Sequence, residues 1–428
     1  MRDRRVGRGG LAVGIALSAV LVACRPGEVP RAAPTPARLP SGASPLVRVG
    51  LVVDTAAIEV GSSQPFELRA LDDDGQAPLQ APADERWTVR LARAGVEAVS
   101  NRGRSMRSAA GIGVRPESGT IEIGGRPYRG EAVLRGGRDG ITAINVVDLE
   151  AYLLGVVPRE IGKRPMADLE AVKAQAIAAR TYAIGNLGVR ENLGFDYFAS
   201  VQDQVYGGAL DEDSTATRAV LETRGEIVTY HGTPILAYYS STCGGRTAAI
   251  EESWPWRAPL PYLRSVSDRI PGTDEHYCST SNRFRWSTSW TRAQLLATLG
   301  QTLRAYTGAS GLDIARVEDI RIQSTGESGR VTLQLTADSV RYTLRADSLR
   351  WVLRTPAGGG LNSSRIERIE VPPDGDGSGV AALTVHGGGW GHAIGMCQVG
   401  ALGRARSGQT YDQILKTYYQ GTEIRKLY

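Results

Sequence analysis

The chain has 428 residues, 42% of them hydrophobic, and a formal net charge of +5. This is the composition of an ordinary globular protein with room for two or three domains, and it excludes a disordered or fibrous chain. All but four of the 50 basic residues are arginine, yet no basic run interleaves with aromatics, which argues against a nucleic-acid surface.

The N-terminus reads as a targeting segment. Arg2, Arg4, Arg5 and Arg8 precede an apolar run over 11–22 that is too short to span a bilayer comfortably. The run ends Leu21-Val22-Ala23-Cys24, the pattern of a lipoprotein processing site. Residues 1–23 are therefore expected to be a signal peptide and Cys24 to carry the lipid, with two or more acyl chains giving a stable anchor. The protein is then expected outside the cytoplasm, held to a membrane. Residues 24–45 are proline-rich and poor in large apolar side chains, as in a semi-rigid tether.

Strand-like runs follow at 46–53, 66–70, 87–92, 121–123, 131–134 and 141–147, separated by Gly- and Asp-rich turns. Asp72-Asp73-Asp74-Gly75 lacks the continuation of a calcium loop and reads as a solvated turn. Residues 46–147 thus form a β-rich part. The stretch 149–188 changes period. Leu149, Tyr152, Leu153, Val156 and Val157 recur at helical spacing, and Pro158 predicts that this helix stops there. Glu160 then falls on a short connection. A second helix starts near Pro165 and runs through Ala171, Ala174, Ala176, Ala178, Ala179 and Ala183, with Gly188 as its stop. Its small side chains suit a central position.

Further on, 213–222 reads as a helix, 226–230 and 235–239 as strands, and Ser240-Ser241-Thr242-Cys243-Gly244-Gly245 as a tight polar loop. Residues 284–379 carry an amphipathic helix at 291–306 and strands at 317–324, 329–335 and 340–345, a smaller α/β lobe inserted into the main fold. A strand at 380–386 returns into the glycine run 387–391, flanked by His386 and His392, and helices over 397–406 and 411–418 close the chain. The expected class is α+β: a mixed β-rich core with a central Ala-rich helix, made of 148–283 and 380–428, and the inserted lobe.

Several of these stretches carry a resemblance. Gly155-Val-Val-Pro-Arg-Glu-Ile161, the run 170–183, Gln204-Val-Tyr-Gly-Gly208, Tyr238–Thr247, Trp390–Ala401 and 414–424 resemble, in order and spacing, the SpoIID/LytB family from about Val47 onward. The resemblance implies a peptidoglycan lytic transglycosylase that cleaves the MurNAc-GlcNAc bond, with Glu160 at the position of the catalytic glutamate. A single carboxyl group suffices for that reaction. It protonates the departing glycosidic oxygen and then takes the proton of the muramic C6 hydroxyl, leaving a 1,6-anhydro end. Hydrolytic glycosidases usually need two. The other branch of the family implies an alternative, a wall-binding protein that enhances a separate N-acetylmuramoyl-L-alanine amidase without cutting sugar. The matched stretches further nominate Arg180, Tyr182, Gln204, Tyr206, Ser240, Ser241, His392 and Gln398 as substrate contacts. The implied partners are glycan strands, a cell-wall amidase and, through the N-terminal lipid, a membrane. Nucleic acid and cofactors are not expected.

The remaining cysteines are Cys243, Cys278 and Cys397. Outside the cytoplasm a disulfide is allowed, and Cys243 with Cys278, both in polar loops, is the expected pair. Cys397, among Ile394, Met396 and Val399, reads as a small core residue. Some relatives carry a closely spaced His-Cys-Cys zinc motif. Here His231 lies too far before Cys243 and His276 nearly abuts Cys278, so no metal is expected. A Cys397–His392 peptidase pair would be adjacent in sequence rather than assembled in space, which weighs against it. No HExxH and no GxSxG is present.

Overall fold

The computed structural model describes residues 43–428 except 73–74 and 308–313. The signal peptide, Cys24 and nearly all of the tether lie outside the described residues, as do Asp73 and Asp74 of the acidic turn.

Strand-forming residues from the first third build two sheets. One has the order Tyr197–Phe198, Leu46–Thr55, Ile141–Asp148, Glu131–Gly136, Ile112–Pro116, Phe66–Ala70 and Leu79–Ala81. All its pairings are antiparallel except that of Tyr197–Phe198 with Leu46–Thr55. The other runs Arg126–Tyr128, Ile121–Ile123, Ala57–Gly61, Arg86–Ala92, Gly95–Ser100 and Ser105–Ser108. Alternation sets which face each strand buries: Phe66 and Leu68 are buried in one, Trp87 and Val89 in another. Ile141–Asp148 is buried over nearly its whole length because it lies between two strands and under a helix.

Among the described residues eight α-helices follow: α1 (Leu149–Glu160), α2 (Leu169–Gly185), α3 (Ser214–Glu222), α4 (Ile250–Ser253), α5 (Arg292–Thr307), α6 (Ser348–Val352), α7 (Gln398–Arg406) and α8 (Tyr411–Tyr418). The Asp148 side chain caps α1 by accepting from the N–H groups of Glu150 and Ala151. The helix continues through Pro158 to Glu160, contrary to the stop that proline predicts. Pro158 has no N–H to give the Leu154 carbonyl, but burial of Val156, Val157 and Pro158 holds the last turn, and Ile161 N–H still donates to the Val157 carbonyl. Glu160 is thus the last helical residue and not a loop residue. The second helix ends at Gly185 with Asn186 as its cap, short of Gly188. Residues 235–238 are not a strand; only Thr233–Pro234 and Tyr239–Ser240 pair around them. Their polar groups are served locally instead, as where Ile235 N–H donates to the Val228 carbonyl.

The alanines of α2 let α1, α3, α7 and α8 all pack against it. A second hydrophobic core gathers Trp290, Leu299, Leu333, Leu344, Leu349 and Leu383 between α5, α6 and two three-stranded sheets. Its strand Ala382–Gly387 leads directly into the glycine run. Among the described residues no helix is long and apolar enough to cross a membrane.

One charged pair is sealed inside. Arg180 has no exposed surface and grips Glu150 through Nε at 2.8 Å and Nη2 at 2.7 Å. The Glu150 carboxylate also accepts from Gly225 N–H at 3.1 Å and the Tyr428 hydroxyl at 2.6 Å. Arg180 donates further to the carbonyls of Glu226 and Val220. Burial alone would push the Glu150 carboxyl up; the Arg180 guanidinium, with Tyr428 and Gly225, outweighs it and holds the group below the usual range. The pair fastens the start of α1 to α2 and to the C-terminus. Arg180 is therefore a structural residue, and its nomination as a substrate contact is corrected: no part of it reaches solvent. Arg180→Met strands a buried carboxylate and should cost about 3–5 kcal/mol of stability in urea unfolding, whereas Arg180→Met/Glu150→Leu should recover much of that loss. A single variant as stable as the parent contradicts this role.

Candidate active site

The site grows from the end of α1. Glu160 is half-buried, and its Oε1 accepts from the Val205 backbone N–H at 2.7 Å. Among the described residues no hydrogen bond to Oε2 and no cation paired with the carboxyl is found. Tyr152, buried, and Tyr239, half-buried, stand close enough to feel its charge, and loss of water holds both phenols neutral. Gln204 links them: it accepts from the Tyr152 hydroxyl at 3.3 Å and donates to the Tyr239 hydroxyl at 2.9 Å. The acid therefore lies on an uncharged floor. Burial raises it from 4.5 to about 7, and the single Val205 N–H only partly offsets the rise. Such a carboxyl is proton-loaded near neutral pH and can give that proton away.

Two loops lie beside it, held back to back. Thr242 and Trp390 exchange backbone hydrogen bonds at 3.2 and 2.7 Å. This contact requires glycine. Gly389 has φ +86°, and a Cβ there would lie 2.6 Å from the Thr242 carbonyl oxygen; Gly244 has φ +77°, and a Cβ there would lie 2.8 Å from the Gly388 backbone. A groove opens next to the pair, lined by Arg164, Ser241, Thr280, Ser281, Asn282, Trp390, Val399, Leu402 and Arg406. Glu160 is not itself among the lining residues. The groove is tied to it through Arg164, whose Nε donates to the Ile161 carbonyl at 2.7 Å, and through the chain Tyr239-Ser240-Ser241. Trp390 is 47% exposed, with the Arg283 guanidinium 5.2 Å from its ring centre. An exposed indole among hydroxyl and amide groups is suited to a sugar face.

The nominated contacts divide on burial. Ser241 lines the groove. Gln204 and Tyr206 do not reach it: Gln204 is fully buried in the floor under Glu160, and the Tyr206 hydroxyl donates to Asn145 Oδ1 at 2.9 Å. Gln398 is buried and donates to Gln175 of α2 at 3.2 Å. Ser240 is buried and its Oγ accepts from Ala393 N–H at 3.1 Å. None of these four lines the groove, and their hydrogen bonds pack the matched stretches together. Tyr182 is partly buried and donates to Asp203 at 3.2 Å. His392 packs among Tyr238 and Trp254, its Nδ1 accepts from Ile394 N–H at 2.9 Å, and burial lowers it to about 4, so it is neutral at physiological pH. The floor residues Tyr152 and Tyr239 and the platform Trp390 were not singled out from sequence, although Tyr239 and Trp390 fall inside the matched stretches.

The cysteines meet in one place. Sγ atoms of Cys243 and Cys278 are 3.5 Å apart, and both thiols are free. The expected disulfide is therefore corrected: the pair is neighbouring but unbonded. Cys397, read as a stray core residue, completes the group with Asp268, and all four donor atoms lie within 4.8 Å of one another. His231 is in an exposed turn and His276 lies against Gly245; neither belongs to this group. Asp268 has no sequence signal, since it precedes Cys278 in an ordinary polar stretch.

The buried carboxyl makes a stability prediction. Glu160 binds its proton more tightly folded than unfolded, so ionising it costs stability as pH rises from the ordinary carboxylate range toward 7. Glu160→Gln removes that cost. The variant should melt above the parent at pH 8 and match it below about pH 4, where both states are protonated. A difference that does not vary with pH contradicts the raised value.

Comparison with known proteins fits this geometry. Residues 137–230, which include α1, Glu160 and α2, match the family model of the stage II sporulation protein, and residues 270–395 match a domain of unknown function. An uncharacterised protein of Brachyspira hyodysenteriae is 31% identical over 303 residues, covering 71% of this chain and 73% of the relative. The amidase enhancer of Bacillus subtilis is 31% identical over 307 residues, and the match covers 40% of that longer protein. The stage II sporulation protein D of the same organism is 28% identical over 305 residues, covering 66% of this chain and 76% of the relative. The chain belongs to the SpoIID/LytB family.

Proposed function

We propose that the protein acts on the cell wall as a peptidoglycan lytic transglycosylase, with Glu160 as its one general acid and base. The observation that carries this reading is a carboxyl raised to about 7, on an uncharged floor at a helix end, with one oxygen held by Val205 N–H. The held oxygen fixes the orientation of the group, and the other faces the reacting bond. In the first half of the reaction the Glu160 proton passes to the glycosidic oxygen as the bond to the muramic C1 breaks. In the second, the carboxylate takes the proton of the C6 hydroxyl as its oxygen closes on C1. The proton count balances, and Glu160 returns protonated. The Trp390 groove would hold the flanking sugars.

A second reading has its own support in the amidase enhancer: the chain binds wall and promotes a separate amidase. The sequence pattern at 21–24 supports placing either activity outside the cytoplasm, on a lipid anchor at Cys24. The exported protein incubated with glycan strands separates the two activities. Strands should acquire 1,6-anhydro ends by mass spectrometry, and Glu160→Gln should lose at least about a hundredfold in turnover while still pulling down glycan. Product formation only when an amidase is added, unchanged by Glu160→Gln, favours the enhancer. Cys24→Ala should move the protein out of the membrane fraction; unchanged membrane association contradicts the anchor.

A further inference from the structure

We propose that Cys243, Asp268, Cys278 and Cys397 form a closed, four-coordinate site for a thiophilic divalent cation such as zinc, serving structure and not catalysis. Four observations converge. First, the donor set is three thiols and one carboxylate, all buried, with every donor atom within 4.8 Å of the others. Second, the spacing fits a tetrahedron better than a covalent bond. Donors about 2.3 Å from a common centre lie about 3.8 Å apart, whereas bonded sulfurs are about 2.0 Å apart. Cys243 Sγ is 3.5 Å from Cys278 Sγ and 3.7 Å from Asp268 Oδ2. The widest pair need close by only about 1 Å.

Third, the groups that touch the donors are already placed to support a charged centre. Cys397 Sγ accepts from the backbone N–H groups of Cys243 at 3.2 Å and Gly400 at 3.3 Å, the type of support a thiolate uses. Asp268 Oδ1 accepts from the Tyr418 hydroxyl at 2.7 Å and from Arg404 at 3.2 Å, which turns Oδ2 toward the sulfurs. Fourth, the four segments are fastened by backbone bonds independent of the donors. Asp268 N–H donates to the Gly245 carbonyl, Tyr277 N–H to that of Asp268, and Val399 N–H to that of Ser241, while Met396–Cys397 pairs with Tyr239–Ser240. The donors are thus gathered from positions 25, 35 and 154 residues away from Cys243.

This is not a closely spaced histidine–cysteine–cysteine arrangement, which the chain lacks. Binding exchanges the three thiol protons for the cation with no change of oxidation state. Three thiolates and a carboxylate on a divalent ion leave net negative charge, and the buried Arg330 guanidinium, whose Nε and Nη2 have no hydrogen-bond partner among the described residues, lies within its electrostatic reach. With all four positions taken by protein, the ion has no open site for water or substrate. Its role would be to pin the groove, because Ser241, Thr280 and Val399 each lie two residues from a cysteine of the cluster.

The test needs no glycan. The exported chain is purified with a phosphine reductant and without chelator, and its zinc is measured by plasma mass spectrometry. About one zinc per chain is expected. Replacement by cobalt(II) should give the thiolate-to-cobalt band and the intense visible bands of a tetrahedral site. Tyr418→Phe, which removes the hydroxyl that donates to Asp268 and accepts from Arg404, should weaken zinc affinity about 10- to 100-fold, and Cys397→Ser should lose the tetrahedral cobalt spectrum. Should Cys397→Ser fail to fold, the wild-type cobalt spectrum and Tyr418→Phe still decide. Reduced wild-type protein that takes up neither zinc nor cobalt overturns the site. So does a metal content that neither Tyr418→Phe nor Cys397→Ser changes.

Discussion

The sealed contact between Arg180 and Glu150 is the constraint on which the rest of the site depends. Glu150 begins α1 and Glu160 ends it, so whatever fixes the first fixes the approach of the second. Two opposite charges with almost no solvent are stable together because further hydrogen bonds support both, Gly225 and Tyr428 donating to Glu150 and Arg180 donating to Val220, Thr223 and Glu226. The arrangement also demands that α1 and α2 approach closely, and the alanines of α2 allow it. One helix thus supplies both the space and the anchor for the helix that carries the acid.

Two carboxylates on α1 illustrate how environment decides role. Both lose water. Glu150 gains a guanidinium and stays ionised, whereas Glu160 gains one backbone N–H and two neutral phenols and stays protonated to about pH 7. The difference lies wholly in the partners, and it divides structure from chemistry within a single helix. Asp268 is a third case, raised to about 7 by burial and by the neighbouring Cys243 thiol.

The long features of the fold were legible in the sequence. Period-two runs marked Phe66–Ala70 and Ile121–Ile123 to the residue, and the closing helices fell at Gln398–Arg406 and Tyr411–Tyr418 close to where their patterns put them. Short strands such as Leu79–Ala81 and Arg126–Tyr128 were not visible, because neither holds the β-branched residues that flank Glu122 in Ile121–Ile123, and pairing alone defines them. Pro158 misled because the one hydrogen bond it removes is outweighed by tertiary burial of Val156, Val157 and Pro158, which carries the helix on to Glu160. The site was legible only in part. Glu160 stood out in its motif, but the same motifs contain Arg180, Gln204 and Gln398, whose burial depends on distant partners. The cysteine cluster was illegible in spacing, since Asp268 and Cys397 join it only through the fold.

The account stands on Glu160 holding its proton near neutral pH. Carbon-13 NMR of the protein labelled at glutamate side-chain carboxyls, titrated beside Glu160→Gln to assign the signal, measures this directly. The account predicts a midpoint at about 7 for the signal that the variant lacks. A midpoint near about 4, the value of an ordinary exposed glutamate, would contradict it.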